Sequence, residues 1–421
     1  MEWVNWSGSQ RANPARFVMP RSRSELQRAV VEGPAPVRVA GAGHSFSAGV
    51  VTEGTLISLD HLHRVLDADA SSGLVRVEAG IRLRALSHEL HARGLAMPNL
   101  GDIDAQSLAG ALATGTHGTG ARFPNLSGQV ESVELILADG SERTLDGGDL
   151  LRAARVSLGA LGVIAAVTIR CVPAFRLRNT DKPEPLEDVL SALQERADAH
   201  DHFEFWTFPH ADVALTRAHE HTEDAPKRPG RLHAYTSDIL LDNHAFRAVN
   251  EVARRFPSTI PRLNRLASAV ASQRERVDWS YAIFASRRLV RFEEMEYALP
   301  REHAVQAVRA ARDVLERHPV SFPIELRFSA ADDALLSPAH DRASAFVAVH
   351  VFRGMAFEPA FREVEAALSE LGGRPHWGKR SFLTARELAP RYPRWDAFQA
   401  ARAELDPDGH FANAWVRDVL G

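Results

Sequence analysis

Short apolar runs separated by glycine turns dominate the first part of the chain. Such runs predict strands, which need only about four to eight apolar or alternating residues. The predicted strands are Val37–Ala40, Thr55–Leu59, Leu74–Glu78, Val133–Leu137, Arg143–Leu145 and one within Leu158–Val172. Arg21–Val30 and Leu83–Arg93 have helical spacing instead, and Gly94 ends the second helix. This order predicts small mixed sheets with a few helices.

The pattern changes after Pro173, where a polar, proline-containing stretch extends to about residue 200. Beyond it, the predicted strands are His202–Thr207, Tyr281–Ala285, Met295–Leu299, Glu325–Phe328 and Ala345–Phe352, and the predicted helices are Asn243–Arg255, Arg301–Arg317 and Pro359–Leu371. Helices between these strands predict a helical layer packed on one antiparallel sheet. We therefore predict an α+β fold with two domains, residues 1–175 and 176–421.

Composition and charge exclude several classes of protein. The 421 residues are 45% hydrophobic and 25% charged, which is typical of a globular protein and not of a disordered or coiled-coil chain. The 50 basic and 54 acidic residues leave a net charge of −4, which argues against nucleic-acid binding. The single Cys171, and the lack of a secretory signal or a long apolar run, predict a cytoplasmic protein without a transmembrane segment.

Clusters of histidine and arginine suggest no further site. The His-x-His pairs are His61-Leu62-His63, His200-Asp201-His202 and His219-Glu220-His221. None is followed by a third ligand at zinc spacing, so we predict solvated histidines on charged segments and no bound metal. The arginines of Ser286–Arg291 stand beside two glutamates, which predicts no RNA-binding patch.

The turn Gly41-Ala42-Gly43-His44-Ser45 directly follows the predicted strand Val37–Ala40. Glycines in such a turn let backbone N–H groups approach a phosphate closely. A dinucleotide-binding fingerprint would place a third glycine where Phe46 stands, which weakens the interpretation as an NAD(P) site. An ordinary glycine turn and an NAD(P) dehydrogenase built on Gly41 and Gly43 stay open as alternatives.

A second loop of small residues runs from Gly101 to Gly120 and ends in Thr114-Gly115-Thr116-His117-Gly118-Thr119-Gly120. Its backbone N–H groups and hydroxyls supply hydrogen-bond donors without the bulk that would hold a ring away. Two such loops in one domain can hold a pyrophosphate and the edge of an isoalloxazine ring from both sides.

These motifs resemble the FAD-binding domain of the vanillyl-alcohol-oxidase superfamily and, within it, the sugar-lactone and alditol oxidases. The motifs are Gly43–Phe46, Gly115–Gly120, Ser157–Ile164, Pro323–Arg327, His376–Lys379 and Phe411–Asn413. The resemblance covers nearly the whole chain. It implies a two-domain flavoprotein with a PCMH-type FAD-binding domain and an antiparallel-sheet substrate (cap) domain, whose C-terminal end, about 375–421, returns to the flavin.

The resemblance also implies the cofactor and the residues that hold it. His44 matches the position that carries covalent flavin in this family, and such a bond raises the reduction potential of the ring. A histidine that only hydrogen-bonds in the turn is the alternative. The implied FAD-binding residues are Ala40, Gly41, Ala42, Gly43, His44, Ser45, Ser107, Gly110, Ala111, Thr114, Gly115, Thr116, His117, Gly118, Thr119, Gly162 and Ile164.

Four residues of the second domain are candidates for catalysis. Glu325 and Arg327 lie two apart on a predicted strand and share a face, where they can hold adjacent hydroxyls of a substrate; a surface ion pair is the alternative. Lys379, one of three lysines, can stabilise developing negative charge or can simply be solvated. His350 is either a packed core residue or a substrate contact, and the resemblance implies a lactone substrate because lactone-oxidising relatives tend to have histidine there.

The resemblance thus implies an FAD-dependent oxidoreductase that oxidises a CH–OH group of an aldono-1,4-lactone of the gulono-, galactono- or arabinono- type. Hydride would pass to flavin N5, and His350 or Glu325 would accept the hydroxyl proton while Arg327 and Lys379 orient the substrate. Dioxygen, a quinone or an artificial acceptor would reoxidise the flavin. The alternatives are an alditol oxidase that converts xylitol or sorbitol to an aldose and hydrogen peroxide, and a catalytically silent cofactor-binding protein.

Overall fold

The computed structural model describes residues 2–227, 244–286 and 289–421. Within these ranges the strands β1 to β20 are Trp3–Val4, Arg11–Ala12, Arg16–Val18, Val37–Ala40, Thr55–Ser58, Val65–Asp69, Leu74–Glu78, Leu95–Ala96, Val130–Ile136, Glu142–Leu145, Val163–Arg170, Val172–Pro173, Arg176–Pro185, His202–Thr207, Val213–His221, Arg274–Trp279, Phe292–Pro300, Ile324–Ser329, Ser344–Phe352 and Arg374–Pro375. The α-helices there are Arg23–Glu32, Leu83–His91, Leu108–Ala113, Gly148–Arg155, Leu186–Ser191, Leu193–Ala199, Phe246–Arg255, Ile260–Ala269, Ser280–Phe284, Ala304–Leu315, Glu358–Glu370, Ala385–Leu388, Trp395–Leu405 and Ala414–Leu420.

Two small sheets surround the first hydrophobic core. Strands β3, β5 and β4 form a parallel sheet, and β10, β9, β11, β7 and β6 form an antiparallel sheet in that order. The apolar strand β11 is the middle strand of the second sheet and is largely buried, as a continuous apolar run requires. Phe398, Phe411 and Val416 pack into the same core, so the end of the chain returns to its beginning.

The second part of the chain is organised around an eight-stranded antiparallel sheet. Its strand order is β16-β13-β15-β14-β18-β19-β17-β20. Val347 and Val349 of β19 share a hydrophobic core with helices Ala304–Leu315 and Glu358–Glu370. Because side chains alternate along a strand, His350 faces the opposite side of the sheet. One face of the sheet is therefore apolar and covered by helices, and the other is free to form a site.

The structure confirms the α+β class and the antiparallel sheet, but one predicted strand is wrong and one strand was not predicted. The predicted strand Tyr281–Ala285 is the helix Ser280–Phe284, because a short apolar run fits either element. The polar stretch after Pro173 contains β13, which pairs with β15 and β16. Its polar side chains are satisfied across the strands, as where Arg217 Nε donates to Asp181 Oδ1 at 2.7 Å. The domain boundary near residue 175 stays a prediction.

The prediction of solvated histidines is wrong for His202 and His219, which are 0% and 3% exposed. His202 Nδ1 donates to Thr119 O at 2.7 Å, and burial lowers the pKa of its ring to about 4. Arg287 and Arg288 of the predicted arginine run lie outside the described residues, as does Asn243 at the start of a predicted helix. No helix in the described ranges has the length and apolar character needed to cross a bilayer.

Candidate active site

A narrow cleft lies between the turn after β4 and the loop before helix Leu108–Ala113. Among its lining residues are Ala40, Gly41, Ala42, Gly43, His44, Ser45, Ser107, Gly110, Thr114, Gly162 and Ile164. A Cβ at Gly41 would lie 2.3 Å from Ser107 Oγ, so a larger residue there would require the Ser107 side chain to move. Gly43 has a φ of +70°, a conformation that other residues rarely adopt. The turn is therefore built for close packing of backbone against a neighbour.

A buried arginine that the sequence analysis did not single out holds one wall of the cleft. Arg38 of β4 donates to Leu158 O at 2.6 Å, to Gly159 O at 2.8 Å and to Phe411 O at 2.7 Å. Burial lowers its pKa to about 10, so it remains a cation at neutral pH. Its position, inside an otherwise apolar strand, was the available signal. Arg38 therefore connects the motif Ser157–Ile164 and the C-terminal segment around Phe411 to the strand that precedes the first glycine turn.

A larger cavity of ≈1880 Å³ adjoins the cleft. Four residues line both spaces: His44, Ser45, Gln106 and Thr114. The cavity is also lined by Thr116 and His117 from the second loop and by Glu325, Arg327, His350 and Lys379 from the second part of the chain. The structure thus brings most of the predicted cofactor residues and all four predicted catalytic residues to two adjoining spaces.

Four of the predicted cofactor residues line neither space. Ala111, Gly115, Gly118 and Thr119 are buried beside it, in packing and hydrogen-bonding positions. A Cβ at Gly118 would lie 2.3 Å from Leu100 O, and Thr119 Oγ1 donates to Phe203 O at 2.5 Å. Their place in the structure indicates that they shape the second loop, and their contact with a cofactor stays a prediction.

His44 lies at the junction of the cleft and the cavity. Its ring stacks on Trp6, with 5.5 Å between ring centroids and 26° between planes. Burial, together with the positive charges of Lys379 and Arg82, lowers the pKa of His44 to about 4. The ring is therefore neutral at physiological pH and keeps an unprotonated nitrogen, which is the form that can act as a nucleophile.

Glu325 and Arg327 of β18 are 7% and 8% exposed, so they are not a surface ion pair. Arg327 contacts Glu325 directly, donates from Nε to Glu204 Oε2 at 2.8 Å, and lies 3.3 Å from Asp102 Oδ2. Burial raises the pKa of Glu325; Arg327 opposes that rise, and Asp102 and Glu204 add to it. One guanidinium therefore faces three carboxylates inside the cavity.

The charges continue across the neighbouring strands as a ladder. Glu204 of β14 lies opposite Arg217 of β15, which in turn lies opposite Asp181 of β13. Arg217 Nη1 is 3.7 Å from Glu204 Oε1, and Arg217 Nη2 is 3.1 Å from Asp181 Oδ2. Negative and positive side chains alternate from strand to strand, so each charge is stabilised by a neighbour of opposite sign. A charge held away from water without such a partner would be strongly unfavourable. The ladder fixes Arg327 in one orientation.

Lys379 and His350 share one carboxylate, Glu294 of β17. Lys379 Nζ lies 2.5 Å from Glu294 Oε2, and His350 Nε2 lies 3.5 Å from Glu294 Oε1 and 3.8 Å from Glu325 Oε2. His350 Nδ1 donates to Pro323 O at 3.2 Å. Burial lowers the pKa values of both cations, but Glu294 outweighs burial and raises them. Glu294 therefore favours the charged forms of both groups.

Another buried acid, Glu296 of β17, connects Lys379 to His117 of the second loop. His117 Nε2 donates to Glu296 Oε1 at 3.1 Å, and Lys379 Nζ is 4.0 Å from Glu296 Oε2. Burial lowers the pKa of His376 to about 3, and its Nδ1 accepts from Gly378 N at 3.0 Å. Within the described ranges, His117, Glu296 and His376 have ligand atoms near enough for one metal ion. The ammonium of Lys379 beside Glu296 disfavours a further cation there, and the absence of metal stays a prediction.

The sequence analysis missed the acids that surround the predicted residues: Asp102, Glu204, Glu294 and Glu296. For two of them a signal exists, because Glu294 and Glu296 alternate with Met295 and Tyr297 along a strand. Glu204 has the same spacing in His202–Thr207. Whether these glutamates lie near Glu325 and Arg327 depends on which strands are neighbours of β18. The spacing of residues along one strand does not reveal its neighbours.

Comparisons with known proteins fit this arrangement. A family model described as D-arabinono-1,4-lactone oxidase matches residues 167–419, and a model described as FAD binding domain matches residues 14–146. Cholesterol oxidase from Brevibacterium sterolicum superposes with a TM-score of 0.83 at 17% identity, over 100% of this chain and 97% of that structure, which shows a shared fold.

The sequence relatives cover the chain from end to end. It is 46% identical to L-gulono-1,4-lactone dehydrogenase of Mycobacterium tuberculosis, over 100% of this chain and 99% of the relative. Identity is 30% to L-gulonolactone oxidase of Mus musculus (100% and 98% covered) and 33% to alditol oxidase of a Streptomyces species (99% and 98% covered). The resemblance found in the motifs is confirmed, and the chain belongs to the D-arabinono-1,4-lactone oxidase family.

Proposed function

We propose that this protein is an FAD-dependent oxidoreductase that oxidises the carbinol carbon next to the carbonyl of an aldono-1,4-lactone. One observation carries the proposal: His44 of the cleft and the Glu325–Arg327 pair line the same cavity. A cofactor held by the cleft and a polyhydroxylated substrate held by the pair would therefore meet. The relatives named as gulonolactone and arabinonolactone enzymes support the choice of substrate class.

The residues of the cleft suit a long, flat dinucleotide. Glycines stand where a Cβ would collide with the facing loop, and Ser45, Ser107 and Thr114 add hydroxyl donors along the wall. These residues, with Thr116 and His117 beyond His44, would hold FAD. When bound, FAD supplies the hydride acceptor at its N5 atom.

The protein's own residues divide the remaining work. Arg327, fixed by Glu204, orients substrate hydroxyls, and Lys379 places positive charge where the substrate oxygen becomes anionic. Glu325 accepts the hydroxyl proton, because its pKa is raised by burial. His350 donates from Nδ1 to Pro323 O, and Glu294 and Glu325 favour its charged form, so it serves as a hydrogen-bond donor and not as the base.

Steady-state assays with a panel of aldonolactones and a panel of alditols test the substrate class. We expect higher kcat/KM for a lactone of the gulono-, galactono- or arabinono- type than for xylitol or sorbitol. The alternative is an alditol oxidase, supported by the 33% identical relative. Faster turnover of alditols would overturn the lactone assignment.

We also propose that His44 carries the flavin covalently. Its neutral, half-buried ring stacks on Trp6 at the junction of the two spaces, which suits a nitrogen nucleophile held in one orientation. Acid-precipitated protein should keep its yellow colour, and His44→Ala should release flavin into the supernatant. Free flavin from the unmutated protein would contradict the bond.

Dioxygen, a quinone or an artificial acceptor reoxidises the reduced flavin in this proposal. Stopped-flow reoxidation by air and by a soluble quinone compares two of these acceptors.

We place the protein in the cytoplasm. Its one cysteine, Cys171, is buried and free, and burial raises the pKa of the thiol to about 12. An unreactive single thiol is consistent with a reducing compartment.

A further inference from the structure

A pair of helices in the second part of the chain exposes an unusual amount of apolar surface. These helices, Phe246–Arg255 and Ile260–Ala269, are called the helix pair below. Val252 is 46% exposed, Phe256 58%, Leu266 60% and Val270, directly after the pair, 71%. They are four of the nine large apolar side chains that are most exposed in the described part of the chain. The remaining five are spread from residue 4 to residue 289.

The same helices carry a local excess of positive charge. Five arginines lie on them, Arg247, Arg254, Arg255, Arg262 and Arg265, and all are exposed. Glu251 is the one acid in Phe246–Ala269, and it pairs with Arg254. The chain as a whole has a net charge of −4, so this basic segment differs in sign from the average of the molecule.

Apolar and basic side chains follow each other at helical spacing. Leu266 and Val270 are four residues apart, so they lie on one side of the second helix, whereas Val252 lies on the first helix and Phe256 follows directly after it. Arg262 lies one turn before Leu266, and Arg265 directly precedes Leu266. An exposed surface that is both apolar and cationic is typical of helices that lie in a membrane interface.

The helix pair also adjoins the cavity of the proposed active site. Leu263, Leu266 and Val270 share one side of the second helix, and they line that cavity together with Phe246 of the first helix. Leu266 and Val270 are therefore exposed to solvent and to the cavity at once. Whatever binds the outer surface of the helix pair lies beside the entrance to the site.

We propose that the helix pair docks on the surface of an anionic phospholipid bilayer. Headgroup phosphates would pair with the arginines, and the acyl boundary would take up Phe256, Leu266 and Val270. A second copy of the chain is a poorer occupant, because a symmetric contact would bring the five arginines of each copy together. The proposal does not depend on the substrate, and it places the entrance of the cavity at the lipid surface.

Co-sedimentation with phospholipid vesicles tests the docking. The wild-type protein should bind vesicles of phosphatidylglycerol and phosphatidylcholine, should bind phosphatidylcholine alone more weakly, and should be released by salt. Arg262→Glu with Arg265→Glu should lower the partition coefficient at least about fivefold per residue. Leu266→Ser with Val270→Ser should lower it by about tenfold or more.

Val31→Ser with Leu66→Ser is the matched control, because these side chains are 53% and 37% exposed and lie elsewhere on the molecule. The control should bind like the wild type, and circular-dichroism melting should show that all variants fold. The proposal would be overturned if the wild-type protein did not bind anionic vesicles. It would also be overturned if Leu266→Ser with Val270→Ser bound vesicles as well as the control Val31→Ser with Leu66→Ser. A concentration-dependent dimer that Leu266→Ser with Val270→Ser abolishes, without vesicle binding, would identify a second copy as the occupant and overturn it as well.

Discussion

The cleft and the charged sheet face differ in the groups that line them. The charged sheet face comprises Glu204, Arg217, Glu294, Glu296, Glu325, Arg327 and His350, all carried by the eight-stranded sheet. In the cleft, short loops of glycine, alanine and serine expose the backbone along the wall. On the charged sheet face, long ionised side chains from five different strands hold one another in place.

The two regions therefore tolerate amino-acid substitutions differently. A backbone cleft depends on the absence of side-chain atoms, so a single methyl group can close it. In a charge network each charge is stabilised by neighbours of opposite sign. Removing one member therefore leaves the others without a partner in a low-dielectric site. The following experiments separate these two kinds of dependence.

Removal of the guanidinium at the centre of the charged sheet face should have the largest effect. Arg327→Ala should lower turnover by about 10²–10³, because Arg327 orients the substrate and supplies charge in the transition state. Steady-state kinetics measure this, and flavin content per chain shows whether the cleft stays filled.

The matched control is Arg217→Ala, which removes the next guanidinium of the same ladder. It should cost less than about tenfold in turnover, because Arg217 contacts Glu204 and Asp181 and reaches Arg327 through Glu204. Equal losses in both variants would make Arg327 a structural member of the ladder and not a catalytic residue.

Closing the cleft should affect cofactor content and leave the charged sheet face intact. In Gly41→Ala the new Cβ meets Ser107 Oγ, so FAD affinity should fall by about tenfold or more. Ser107→Ala in the same chain removes the contacted Oγ and leaves the next atom 3.5 Å from the added Cβ, so it should restore part of the loss while still lacking the Ser107 hydroxyl donor. Gly147→Ala is the control, because nothing lies within 4 Å of its Cβ. Full flavin occupancy in Gly41→Ala would contradict the role of the cleft.

Glu294 tests how charges on the sheet face tune one another. Glu294 raises the pKa values of Lys379 and His350, so Glu294→Gln should lower both. The cationic forms would then be lost at lower pH, and the alkaline limb of kcat/KM should move down by about one pH unit. Glu293→Gln is the control, because Glu293 points to the other face and pairs with Arg380 at 2.8 Å. An unchanged limb in Glu294→Gln would remove Glu294 from the network.

Buried His202 gives the smallest effect, on stability alone. Its pKa is lowered by burial to about 4, whereas the unfolded chain binds the proton near 6.5. Its contribution to the free energy of unfolding is therefore present above pH 6.5 and lost as the pH falls towards 4, by about 1–3 kcal/mol. Urea unfolding at several pH values measures this loss. His202→Asn should make this loss smaller and exposed His63→Gln should leave it unchanged, whereas an equal loss in the wild type and in His202→Asn would show that His202 does not contribute.

The two regions also differ in how far the sequence predicts them. The cleft is local: glycine spacing and His44 indicate it within two loops. On the charged sheet face, spacing along one strand put Glu325 and Arg327 on the same side. Glu204, which accepts a hydrogen bond from Arg327, lies 123 residues from it along the chain, on a strand whose neighbours are set by the order of the sheet. The polar strand Arg176–Pro185 escaped prediction for the same reason, because its side chains are satisfied only by β15 and β16.

Anaerobic absorption spectroscopy of the purified protein tests most directly whether the two regions work together. If a cofactor in the cleft takes hydride from a sugar derivative on the charged sheet face, an aldono-1,4-lactone should bleach the visible flavin band without oxygen. Arg327→Ala should bleach at least about 10²-fold more slowly at full flavin content. A flavin band that no lactone or alditol bleaches would show that the two regions do not meet in catalysis.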